Sequence, residues 1–149
     1  MNLLVPLILV AGIALVSGCT QDGAQNGAQV LAPPEPPAGG EGPAPATWTV
    51  AATAEGFSPQ EFTIRQGDTV SWENQDNQPR WPASAMHPTH TLYPGSGIEK
   101  CGTPEEDGIF DACSGIPPGG EWEFTFTEAG SWAYHDHLVT GKFGRIVVE

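Results

Sequence analysis

Glu121-Trp122-Glu123-Phe124-Thr125-Phe126-Thr127 sets an aromatic ring at every second position, with an acid or a threonine on either side of each. Successive side chains of a strand point to opposite faces, so Trp122, Phe124 and Phe126 share one buried face while Glu121 and Glu123 meet solvent. Working outward, short β-branched, aromatic or alternating runs recur at 47–53, 61–65, 69–73, 90–93, 131–134 and 143–148, and no amphipathic helix of useful length lies between them. The same parity makes Val70 and Trp72 core. Glycine-containing turns, Gln66-Gly67-Asp68 and Glu128-Ala129-Gly130 among them, separate the runs. Strands at this spacing predict an all-β sandwich built as one small domain over residues 47–149.

The chain ahead of that domain has a different chemistry. Residues 1–18 are uncharged and rich in Leu, Val, Ile and Ala, and the run ends in Val16-Ser17-Gly18-Cys19. Small residues before a cysteine suit a signal peptidase pocket, and the stretch, interrupted by Pro6, is shorter than the about 20 residues a spanning helix needs. It resembles a lipoprotein signal peptide, with Cys19 the lipidated start of the mature protein. Met1-Asn2-Leu3-Leu4 lacks the usual Lys or Arg, so an uncleaved anchor is the alternative. Both put the domain on the extracytoplasmic side of a membrane, periplasmic or cell-surface. Residues 19–46 then form a tether: Pro33-Pro34-Glu35-Pro36-Pro37 and Pro43-Ala44-Pro45 sit among Gly, Ala and Gln, too few apolar groups to offset the entropy of ordering.

With Cys19 assigned to lipid, Cys101 and Cys113 remain. Export to an oxidising compartment makes a disulfide the natural reading, contributing on the order of 3 kcal/mol by closing a short loop. Two thiolate metal ligands are the alternative. The formal charge is −13, of which Asp22, Glu35 and Glu41 lie in the tether, leaving −10 on the domain. Such a surface excludes nucleic acid as a partner and favours cations or a basic protein.

All four histidines fall in two clusters, His87-Pro88-Thr89-His90 and His135-Asp136-His137. Imidazoles kept for packing have no reason to pair in this way, and neutral imidazole is the commonest protein ligand for copper and zinc. In a strand, positions 135 and 137 share one face and 136 takes the other.

Phe57-Ser58-Pro59 followed by Phe62-Thr63-Ile64-Arg65-Gln66-Gly67-Asp68-Thr69-Val70-Ser71-Trp72-Glu73-Asn74-Gln75-Asp76 resembles the first half of cupredoxin domains. There a strand after a Gly turn runs into Asn-x-Asp ahead of the first copper-binding histidine. Pro118-Gly119-Gly120, and Gly130-Ser131-Trp132-Ala133-Tyr134-His135-Asp136-His137 through Gly144-Arg145-Ile146-Val147-Val148, resemble the second half. The resemblance covers nearly the whole domain and implies a Greek-key β-sandwich or barrel that binds copper. It also implies where ligands belong. His90, followed by Thr91-Leu92, fits the first histidine ligand, reached after an insertion that contains Arg80, Trp81 and Pro82. The loop that carries Cys, His and Met in the family instead presents Asp136 at the Cys position, with Val139 and Lys142 near the other two. Tyr134-His135-Asp136-His137-Leu138 is also similar to the Tyr-His-Ser-His segment of multicopper oxidases, whose coppers lie between domains; a single domain would need an oligomer for that arrangement.

Without a thiolate the expected site is not a type 1 centre. His90 and His137 lead the ligand set, then His135 and His87, with Asp136 as an oxygen ligand or as the acceptor that fixes an imidazole tautomer. Copper is the expected metal and zinc the alternative. Met86 could add a weak thioether; packing or a loop is its other reading. Trp81, Trp132 and Tyr134 would wall the site or fill the core, and Glu105-Glu106-Asp107 reads as a solvated hairpin tip or a calcium ligand set. Three functions fit: a membrane-tethered copper-binding protein in copper handling or electron transfer, an oligomeric copper oxidoreductase with a histidine-only site, or a metal-free adaptor.

Overall fold

Residues 42–149 are described by a computed structural model. The expected signal peptide, the expected lipid site at Cys19 and the expected tether up to residue 41 lie outside the described residues. Eight strands follow one another: β1 Thr47–Ala52, β2 Phe57–Ser58, β3 Glu61–Ile64, β4 Thr69–Asn74, β5 Pro82–Ser84, β6 Glu121–Thr125, β7 Gly130–Asp136 and β8 Phe143–Val148. They form two four-stranded sheets, in the orders β2-β1-β4-β6 and β3-β8-β7-β5. The β1–β4 and β3–β8 pairs are parallel and the others antiparallel. Among the described residues no helix is long and apolar enough to cross a membrane.

Both sheets turn an apolar face inward. Val50, Val70, Trp72 and Phe124 come from one, Ile64, Tyr134, Ile146 and Val148 from the other, and all are buried. Trp72 is the hub: its ring centroid lies 5.4 Å from Phe110, 5.1 Å from Trp122 and 5.5 Å, edge-on, from Tyr134. The alternation of residues 121–127 holds as expected. Phe124 and Phe126 are buried, Trp122 is partly buried against the core, and Glu121 and Glu123 are exposed. Gly144 is the register partner of Tyr134, and a methyl group there would sit 2.4 Å from the phenol carbon, so this strand position has to lack a side chain.

Residues 90–93 are not a strand: His90 has φ of 58°, in the left-handed region, and the chain hooks there. Tyr93 still enters the core, with its N–H donated to Ser84 Oγ at 2.8 Å. The neighbouring strand is instead β5, which periodicity missed because all three of its residues are buried and one is proline.

The long insertion between β5 and β6 is tied to the sheet by its own backbone. Ser84 N–H donates to Phe110 O at 2.8 Å and Ala112 N–H to Pro82 O at 3.1 Å, so residues 110–112 lie alongside β5. Cys101 and Cys113 form a disulfide across this insertion. The acidic run of residues 105–107 passes through a short 3-10 turn, Glu106–Gly108, with Glu105 and Asp107 exposed as the hairpin-tip reading expects. Phe110 is fully buried against Trp72, Phe124 and Phe126, which makes the insertion part of the core. Phe110→Ala should therefore destabilise the domain by about 3–5 kcal/mol in chemical denaturation; a loss under about 1 kcal/mol would mean the insertion is only an appendage.

Candidate metal centre

Cross-strand pairing builds the site. Asp111 lies opposite Ala83, Ala83 opposite His135 and His135 opposite Phe143, and residues that pair directly share a face. Asp111 and His135 thus stand on the same side of the second sheet, the side away from Tyr134. His137 follows two residues after His135, its backbone N–H donated to Trp81 O at 2.8 Å. The turn that leads out of β5 brings in the other two histidines, closed by His90 N–H to Met86 O at 2.7 Å.

The four imidazoles converge. One ring nitrogen from each of His87, His90, His135 and His137 lies within 4.8 Å of the other three. His90 Nε2 and His137 Nδ1 are 2.9 Å apart. His135 Nε2 is buried and has no hydrogen-bond partner among the described residues. A buried polar atom without a partner costs free energy, and a metal ion at the centre of the four rings would supply the missing one. One chain provides the whole set, so no second domain is needed to complete it.

Below the rings, the Asp111 carboxylate holds His90. Its Oδ2 is 2.5 Å from His90 Nδ1, while Oδ1 accepts from Trp81 Nε1 at 2.6 Å and from the Cys113 N–H at 2.8 Å. Nδ1–H donated to a carboxylate leaves the Nε2 lone pair for a metal, the usual support of a ligating histidine. Burial pushes the Asp111 carboxyl up, but the bonds from His90, Trp81 and Cys113 together outweigh it and hold it below the ordinary carboxylate range. Trp81 also lies against His137, with ring centroids 4.4 Å apart.

Asp136 does not join the imidazoles. It sits on the opposite face of the chain, as the parity of positions 135–137 requires, and its carboxylate accepts from Arg80 Nη1 at 3.2 Å and from the Leu138 N–H at 2.9 Å. Arg80 is buried and binds Asp76 as well, and its guanidinium holds the Asp76 carboxyl low. Asp76 N–H in turn donates to Asn74 Oδ1 at 2.9 Å, so the Asn-x-Asp segment anchors this ion-paired network. The acceptor that fixes an imidazole is therefore Asp111 and not Asp136. Sequence reasoning missed Asp111 because a single acid inside the disulfide loop carries no spacing signal; its position between buried Phe110 and Cys113 was the available hint. Met86 is 66 % exposed on the turn beside His87. Trp132 and Tyr134 face the core rather than the rings.

Neither a family model nor a curated protein matches the sequence. Solved structures do match the fold. A purple cupredoxin from Nitrosopumilus maritimus superposes with a TM-score of 0.52 at 21% identity, over 68% of this chain and 99% of that one. A reduced, Cu(I) form of an amicyanin variant gives 0.51 at 20% identity, over 69% and 82%. A copper-containing nitrite reductase from Thermus scotoductus gives 0.53 at 19% identity, over 73% of this chain but 23% of that one. The domain is a cupredoxin-like β-sandwich, as its residues 57–76 and 130–148 led one to expect. Within that class it presents a four-histidine cluster with no thiolate, its two described cysteines being joined to each other.

Burial, and then the neighbouring imidazoles, lower the His135 pKa from 6.5 to about 4, and burial lowers that of His137 as well. Both rings stay neutral where a metal could bind. For the metal-free protein the sign follows directly: between pH 6.5 and about 4 the unfolded chain takes up a proton at His135 that the folded chain refuses. Stability should be flat above that window and fall through it, by about 1 kcal/mol once solvent screening of this part-exposed ring is allowed for. Denaturation midpoints measured across this range should show a clearly smaller slope in His135→Gln; equal slopes in the two proteins would contradict the assignment.

Proposed function

We propose that this protein binds one copper ion, as Cu(II), through His87, His90, His135 and His137, and handles it on the extracytoplasmic side of a membrane to which Cys19 tethers it. The observation that carries the reading is the convergence of four imidazole nitrogens, one from each histidine, in a group whose His135 ring also has a buried, unpartnered Nε2. The donor set fits the group: imidazoles alone suit Cu(II) in tetragonal geometry, and the Irving–Williams order favours copper over zinc at such a site. Two of the solved structures that share this fold, the amicyanin variant and the nitrite reductase, name copper in their titles, which supports the same choice. Bound copper would supply a one-electron couple and a Lewis acid.

What the chain itself contributes is placement. Asp111 aims His90, the β7 backbone aims His135, and Trp81 covers one flank of His137. A metal-free adaptor would have no use for four imidazoles brought to one point. Without a thiolate the site differs from an electron-transfer centre of the blue type, so holding and passing on copper is the better-supported role. The charge of −10 on the domain suits a basic protein as donor or acceptor.

After loading with Cu(II) and exhaustive dialysis, the protein should retain one copper and give a pale type 2 EPR and absorption spectrum. His135→Ala should abolish retention, and Asp111→Asn should weaken affinity by about 10- to 100-fold. An intense band near the red end, or no retained copper, would overturn the proposal.

A further inference from the structure

We infer that His87 is the exchangeable member of the four-imidazole group, and that a small anion entering along the adjoining groove takes its coordination position. This rests on the copper-binding reading above. The four rings are held very unequally. His90 is fully buried and bonded to Asp111, His135 lies in the β7 ladder between Ala83 and Phe143, and His137 is pinned through its backbone to Trp81 with its ring against the indole. His87 is the exposed one, and its ring makes no hydrogen bond among the described residues. It rides on a turn whose flanking Met86, Pro88 and Thr89 are exposed too.

Rotating His87 outward would break one ligand bond and part its ring from those of His135 and His137 without separating a hydrogen-bonded pair, while three imidazoles would keep the ion. A surface side chain of this kind flips between rotamers on the fast timescale of exposed residues once its bond is broken. The same step at His90 would separate the Asp111 pair and leave buried polar groups unmatched.

The face beside His87 has room for an incoming ligand. A groove of about 600 Å³ runs over the outer side of β7 and β8, reaching His87, His135 and His137 and bordered by Lys142 and Arg145. Small residues, Ala133 and Gly141 among them, line part of it. The chain has five lysines and arginines against 18 acids, and two of the five stand here. Lys142 Nζ is bonded to the Glu55 carbonyl and Arg145 Nη1 to the Ser131 hydroxyl, neutral acceptors that leave both charges uncancelled by those bonds; Glu61 approaches Arg145 only at 3.7 Å. The acids of the lining are Glu61, beside Arg145, and Asp136, which is ion-paired to Arg80, so on an acidic domain Lys142 and Arg145 give a small anion a favourable approach. The exchange would move no electron: the His87 nitrogen would leave the ion and an anion donor atom would take its place.

Azide titrated into the copper-loaded protein, with absorption and EPR as readouts, tests the inference. While His87 occupies its position most of the time, the anion sees only the open fraction, so His87→Ala or His87→Gln should keep one copper and bind azide about tenfold more tightly or better. Both variants should also surrender copper to a chelator faster than wild type, and a Lys142→Gln, Arg145→Gln double variant should keep its copper and bind azide more weakly. If His87→Ala and His87→Gln lose copper as completely as His135→Ala, or azide affinity is the same with and without the ring, the inference fails while copper binding stands. A wild-type protein that binds no copper would overturn both.

Discussion

The buried contact between Asp111 and His90 ties the site to the fold. A carboxylate out of water needs its oxygens filled, and here an imidazole N–H, an indole N–H and a backbone N–H fill them. Each donor comes from a different stretch of chain: the turn after β5, the segment just before β5, and the far side of the disulfide. The neighbouring residue, Phe110, points the other way and packs against Trp72. Consecutive residues on one short extended segment thus serve the apolar core and the polar site, and the pairing of residues 110–112 with β5 keeps the two in register.

Parity in β7 explains why the chemistry departs from the thiolate sites of the fold. Tyr134 and Asp136 belong to one face, where burial and the Arg80 ion pair claim them. His135 and His137 belong to the other, where the imidazoles converge. The position at which the family resemblance leads one to expect a thiolate is spent on charge neutralisation, and the donors are supplied from across the strand. The outcome is an all-imidazole donor group, harder than a thiolate set, which under the proposed reading would favour the oxidised state of copper.

Much of this was readable in the sequence where local chemistry repeats. The aromatic alternation of residues 121–127 follows from strand geometry alone, and the paired histidines signalled convergence because packing offers no other reason for them. What escaped reading depended on tertiary context. Residues 90–93 have strand-like composition, yet His90 takes a left-handed conformation and its ring meets Asp111. β5 is too short and too uniformly buried to show a period. Asp111 and Arg80 carry no spacing signal; their roles exist only once the insertion lies against the sheet.

The central claim is that imidazoles from one chain, with no sulfur, surround a single ion. X-ray absorption at the copper edge of the loaded protein measures this directly. The account predicts a shell of nitrogen at about 2.0 Å with the outer-shell scattering of three or four imidazoles. A sulfur shell near about 2.3 Å, or fewer than three imidazoles, would contradict it.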